Sequence, residues 1–137
     1  MIVDTSVLVA IFADEPEHTR FTLALAVNDS NQVSAGTWIE FGTVLARRYR
    51  LADPDSVQTR LAEWLRLSIT PVDEHQARAA SLGYAAFGRA TGHRADLNFG
   101  DCFSYALAKT SGEPLLFEGD DFNHTDLLLA PESAYPR

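Results

Sequence analysis

Asp4, Glu40, Asp101 and Asp121 are the residues of this chain best suited to chemistry. Each stands among apolar or small neighbours, in Ile2-Val3-Asp4-Thr5-Ser6, Trp38-Ile39-Glu40-Phe41, Asn98-Phe99-Gly100-Asp101-Cys102 and Gly119-Asp120-Asp121-Phe122. A carboxylate set beside a core is costly unless it is paired or metal-bound. Four in such settings point to a shared cation. A donor set of oxygens alone favours Mg2+ or Mn2+ over Zn2+. Carboxylates holding such an ion make a nuclease-type or phosphoryl-transfer site.

Each acid also has a plainer reading. Asp4 suits the N-cap of the next helix as well as a ligand role, although Thr5 or Ser6 offers to cap in its place. Glu40 shares a helix face with Thr43 and Arg47, where an exposed salt bridge worth tenths of a kcal/mol is the common outcome. Asp101 opens a segment apolar on two faces, so it enters the interior at a helix's first turn, where the dipole favours an anion. Asn98 is the alternative cap. Asp120, Asp121 and Asp126 resemble a turn, and Asp121, beside Phe122, is the one expected to point inward. His93-Arg94, with Arg89, is the densest basic stretch: a solvated loop or a contact to a phosphate backbone. Arg47, Arg48 and Arg50 offer the same choice. His124 falls near the acidic turn, whereas His18 and His75 fall at surface helix starts.

The elements that must position these residues alternate in type. Short apolar strands are expected at 1–3, 32–34, 68–70 and 115–117, with a last edge strand at Leu127-Leu128-Leu129. Amphipathic helices are expected at 7–12, from Pro16 to about 27, at about 37–50, from Asp53-Pro54 with Val57, Leu61, Trp64 and Leu65 inward, at about 74–89, and from Asn98 or Gly100 to 110. This pattern predicts an α/β fold: a short parallel sheet with helices on both faces. Ligands in such sheets sit at the carboxyl ends of the strands, and both Asp4 and Asp121 follow strands.

At 137 residues, with 46% hydrophobic and 22% charged, the chain is one ordinary globular domain over 1–137, with 130–137 expected as a loosely ordered tail. One cysteine, Cys102, suits a reducing cytoplasm as an inert buried thiol. No signal peptide is expected, since Asp4 interrupts the apolar start, and the longest apolar run, 7–13, is far too short for a membrane span. The net charge of −8 argues against nucleic acid unless metal ions offset the acids, and it also suits a basic protein partner. No Gly-x-x-x-x-Gly-Lys-Ser/Thr or Gly-x-Gly-x-x-Gly sequence is present, which disfavours nucleotide-binding folds. His-Glu-x-x-His and Gly-x-Ser-x-Gly are also missing.

Four stretches together resemble a known family: Met1-Ile2-Val3-Asp4-Thr5-Ser6, the helix around Glu40, Asn98 through Lys109, and Pro114 through Asp126. In that order and spacing they look like a PIN domain, and more narrowly like VapC, the ribonuclease toxin of bacterial VapBC toxin–antitoxin pairs. The resemblance implies a divalent-metal-dependent endoribonuclease, commonly a homodimer, inhibited by a cognate antitoxin. It matches Asp4 and Asp101 to the metal ligands and Glu40 to the mid-chain acid. It departs from the family at the fourth acid, because Phe117 and Gly119 fill the family's Thr and acid positions. Asp120 or Asp121 then supplies that carboxylate, or none does. Ser6 is expected to support a ligand carboxylate, and His93 and Arg94 to meet substrate. Two other readings compete: a receiver-like phosphoacceptor domain, which usually has an acidic pair after its first strand, and a non-catalytic interaction module.

Overall fold

The computed structural model describes residues 1–133. Ten elements follow in order: β1 (Ile2–Val3), α1 (Thr5–Phe12), α2 (His18–Val27), β2 (Asn31–Ser34), α3 (Ala35–Arg47), α4 (Pro54–Leu65), β3 (Leu67–Thr70), α5 (Glu74–Phe87), α6 (Asp101–Ser111) and β4 (Leu115–Leu116). Two 3-10 turns, Asp121–His124 and Pro131–Ser133, complete it. All four strands are parallel, in the order β3-β2-β1-β4. Parallel neighbours need a crossover, and helices provide each one.

Strands β1 and β4 are buried on both faces, whereas the edge strand β3 is partly exposed. Side chains alternate along a strand, so Val3, Val33 and Leu116 face one core with α1 to α4, while Ile2, Leu115 and Phe117 face another with Tyr105 and Leu107 of α6. Helices therefore cover both faces, as the apolar strand segments predict. The chain runs outward through β1, β2 and β3, then returns to place β4 on the other side of β1. The order reverses between β1 and β4. A crevice opens outside the carboxyl ends of the strands at such a reversal, and Asp4 and the 118–121 segment both emerge there.

Local sequence explains the element ends. Ser34 caps α3 through Gly36 N, Asp53 caps α4 with Pro54 at its first position, and Asp73 caps α5 through Gln76 N. Gly112, with φ 71, ends α6 in the left-handed conformation.

Some expectations change in three dimensions. The edge strand at 127–129 is a single parallel bridge, Leu115 to Leu129, flanked by bonds from Leu115 N to Leu128 O and from Ala130 N to Leu115 O. Pro16 precedes α2 rather than opening it. Leu23, Val27 and Trp64 point outward, because α2 and α4 each cover only one side of the core. Residues 130–133, expected to be loose, are held: Ala130 and Ser133 are buried, and Ser133 Oγ accepts from Phe117 N at 3.0 Å. Residues 134–137 of that expected tail lie outside the described residues.

The helix pair α5 and α6 meets where Gly83 lies flat against the Tyr105 ring, and an added Cβ would overlap that ring. The ring cannot easily move, since its hydroxyl donates to Asp126 at 2.9 Å and Phe87 packs beside it. Alanine in place of a helical glycine gains about 1 kcal/mol in propensity, whereas overpacking costs about 1–3 kcal/mol. Gly83→Ala is expected to lower the thermal midpoint by several degrees in calorimetry. An unchanged or raised midpoint would show that the helices separate at little cost.

Candidate active site

β1 ends as Asp4 N donates to Leu116 O at 3.0 Å, and the chain turns directly into α1. The Asp4 side chain caps that helix. Its Oδ2 accepts from Ser6 N at 3.1 Å and from Ser6 Oγ at 2.7 Å. Its Oδ1 accepts from Ser104 Oγ of α6 at 2.5 Å. Capping and site membership, alternatives in the sequence, coexist in one carboxylate. Both hydroxyls are themselves supported. Glu118 N, after β4, donates to Ser6 Oγ at 2.9 Å. Thr37 Oγ1 of α3 lies 3.1 Å from Ser104 Oγ, and both residues are fully buried. A serine hydroxyl has one proton; Ser104 gives its proton to Asp4, so Thr37 is the donor to Ser104.

Asp101 enters at the start of α6 through a reciprocal exchange. Asn98 N donates to Asp101 Oδ2 at 2.8 Å, and Asp101 N donates to Asn98 Oδ1 at 2.9 Å. This is the logic of a capping box with Asp in place of Glu. Glu40 reaches the same place from α3. Thr5 Oγ1 donates to Glu40 Oε1, and the other oxygen lies on the Gly100 backbone, where any Cβ would overlap it. A side chain in place of Gly100 would therefore push the Glu40 carboxylate out of this position. The neighbouring Cys102 thiol is pushed up to about 11 by burial and by the Asp101 charge, so it stays protonated.

The acids act on one another. Burial, then the charge of Asp4, lifts Asp101 to about 7 against the opposing Asn98 hydrogen bond, with Asp121 and Glu40 adding to the rise. Glu40 is raised by burial, partly offset by the Thr5 hydroxyl, and raised further by Asp4. Asp121 is raised by burial and by Asp4, with Arg89 opposing. Asp4 thus stands at the centre of a like-charged group. Asp121, expected to point inward, is exposed instead, because its 3-10 turn buries Phe122 and leaves the acid outside, although the charge of Asp4 still reaches it. Asp120 accepts from Asn123 Nδ2 at 2.5 Å and lies 3.7 Å from His124 Nε2.

The expected basic contacts divide. His93 braces its own loop, accepting from Ala95 N at 3.1 Å with its ring edge-on to Phe87. Arg94 is exposed. Arg89, at the neck of that loop, is the cation whose charge registers on the cluster. Among the described residues, no three His, Cys, Asp or Glu side chains already stand as a metal cage. Asp4, Glu40 and Asp101 are instead each held by their own donors. Sequence reasoning missed Ser104, Thr37 and the Thr5–Glu40 bond. The available signal was Ser104, three residues after Asp101, standing within the otherwise apolar or aromatic stretch 102–108. Thr37 had none.

The raised Asp101 fixes the sign of a pH effect. Its folded pKa exceeds the unfolded value, so its contribution to stability is full below about 3.8 and is lost as pH rises through about 7. Glu40 and Asp121 act in the same direction. In metal-chelating buffer, the thermal midpoint is expected to rise as pH falls from about 8 to about 5, and Asp101→Asn is expected to flatten that rise. A midpoint that falls over this range would contradict the cluster's electrostatics.

Comparison with known proteins agrees with this architecture. The PIN domain family model matches residues 1–128. Ribonuclease VapC28 of Mycobacterium tuberculosis is 46% identical over 132 residues, covering 95% of this chain and 97% of that protein. The M. tuberculosis toxin VapC20, described as cleaving the sarcin–ricin loop, superposes with a TM-score of 0.71 at 18% identity, covering 94% of this chain and 97% of that one. A toxin–antitoxin complex from Klebsiella pneumoniae gives 0.68 at 21% identity, covering 95% and 96%. From its parallel sheet, its acidic crevice and its near full-length kinship to a curated VapC ribonuclease, the chain belongs to the PIN-domain family.

Proposed function

We propose that this protein is the toxin of a type II toxin–antitoxin system, an endoribonuclease that hydrolyses RNA phosphodiester bonds with Mg2+ or Mn2+ and is neutralised by a cognate VapB-type antitoxin. The observation that carries the reading is the convergence of Asp4, Glu40 and Asp101: Glu40 accepts from Thr5, next to Asp4, and lies against Gly100, next to Asp101. Kinship to VapC ribonucleases supplies the class of reaction.

The acids fit a hard divalent cation. All are oxygen donors, and like charges that raise one another's affinity for protons are the groups a cation would relieve. Asp4 and Asp101 would hold it. Such an ion supplies a more acidic water and offsets charge on the phosphate. Ser6 and Ser104 fix both oxygens of Asp4, and Asn98 fixes one oxygen of Asp101. Glu40, anchored by Thr5, orients the attacking water. Asp121 is the fourth acid, at the rim. Arg94, exposed on the loop after α5, would contact the substrate, while Arg89 lies 3.7 Å from Asp96 and His93 braces that loop. Homodimer assembly and a cytoplasmic setting belong to the same reading; no helix among the described residues is long and apolar enough to cross a membrane. The receiver-like alternative loses ground on topology, because receivers order their strands 2-1-3-4-5 and Asp73, the acid after β3, caps α5 instead.

The direct test is cleavage of single-stranded RNA with mapping of the cut ends. EDTA is expected to stop it and Mn2+ to restore it. Asp4→Asn and Asp101→Asn should each lower kcat by about 10²-fold or more while remaining folded. Full activity in either variant would remove the proposal.

Ser104→Ala tests the support of Asp4 separately. Loss of an outer partner typically weakens metal affinity about 10–100-fold. Mn2+ titration followed by electron paramagnetic resonance is expected to show a loss near the lower end, with kcat recovered at saturating Mn2+. Unchanged Mn2+ affinity would mean that Ser104 only fills space.

A further inference from the structure

Helix α3 carries a second charged feature that the acidic cluster does not use. Its face toward α6 is closed at Gly36, which lies under Phe103, and at Glu40, which lies on Gly100. Beyond Glu40 the same face is uncovered, and Thr43 and Arg47 are exposed on it. Seven residues bring a helix back to within about 20° of the same direction and advance it by about 10 Å. Arg47 therefore continues the line of Glu40 outward from the cluster. Thr43, Val44, Arg47 and Arg48 line a shallow hollow there. Arg48 is exposed there, with its guanidinium 5.4 Å from the ring centroid of Tyr49, which is itself edge-on to Phe12 of α1. Among the described residues, neither arginine has a carboxylate partner.

The C-terminal end of a helix favours a cation anywhere on its last turn. That preference does not explain a register matching Glu40, nor a second arginine at the same hollow. Three arginines within residues 47–50 are also conspicuous in a chain of net charge −8. We infer that Arg47 and Arg48 form a phosphate-binding subsite for the RNA backbone next to the scissile bond, so that the strand runs along the uncovered half of α3. This inference rests on the ribonuclease reading and adds the path of the substrate to it. Planar guanidinium groups match phosphate oxygens, and backbone contacts of this kind position a strand without reading its sequence.

The test is steady-state cleavage of a single-stranded RNA oligonucleotide at saturating Mn2+ across a sodium chloride series. The variants are the double change Arg47→Gln with Arg48→Gln, the double change to Lys, and Arg78→Gln as a control at a distant exposed ion pair with Glu74. The glutamine pair is expected to raise KM about tenfold and to leave kcat unchanged. It should also reduce the slope of log KM against log salt by about 1.4, at about 0.7 per contact on a single strand. The lysine pair should recover the slope, and Arg78→Gln should match the unsubstituted protein. Unchanged KM and slope in a glutamine pair that still cleaves would overturn the subsite and leave the ribonuclease reading intact. Failure of the unsubstituted protein to cleave any RNA would overturn both. A glutamine pair with normal KM that escapes inhibition by its antitoxin would assign the arginines to the protein partner and overturn the subsite.

Discussion

The structure depends on holding the carboxylate of Asp4 beside the core, where an unsupported charge would be expelled or protonated. It is held by charge-assisted hydrogen bonds from two serines and one backbone amide, each worth about 1.5–3 kcal/mol in such settings. The start of α1 adds a favourable dipole. These donors come from α1 and α6, and a backbone amide after β4 and a threonine on α3 support them in turn. Moving any one of these elements would leave a buried polar group without its partner.

The same crowding explains why the cluster is strained electrostatically but ordered geometrically. Asp101 and Glu40 are raised because burial and Asp4 both oppose their ionisation. Their positions are nevertheless fixed, by the Asn98 exchange in one case and by Thr5 and Gly100 in the other. A site of this kind destabilises the protein that carries it, and the two-sided apolar core around the short parallel strands offsets that cost. Fully buried Ile2, Val3, Leu115 and Leu116 anchor the strands from which the acids emerge.

Charge is divided by place rather than balanced residue by residue. Acids gather at the crevice where the strand order reverses, while Arg89 and Arg94 stand on the loop after α5 and Arg47 and Arg48 on the far half of α3. A chain of net negative charge thereby keeps exposed cations on elements apart from its acidic centre. Net charge alone is silent on this, because it sums over surfaces that a ligand meets separately.

The sequence by itself determined the element order, the parallel sheet with two covered faces, and the residues to watch. Strand periodicity, caps such as Asp53-Pro54 and Asp73, and apolar runs are local signals, so they survive in a one-dimensional reading. Asp4 and Asp101 stood out for the same reason: each is a charge inside an apolar segment. Only the tertiary structure decided which partners those acids have. Ser104 and Thr37 come from different helices, and no local pattern records a hydrogen bond between residues 67 positions apart. The exposure of Asp121, the outward turn of Trp64 and the anchoring of Ser133 were settled the same way. Each depends on which neighbour packing brings near, and proximity across the chain is created by folding alone.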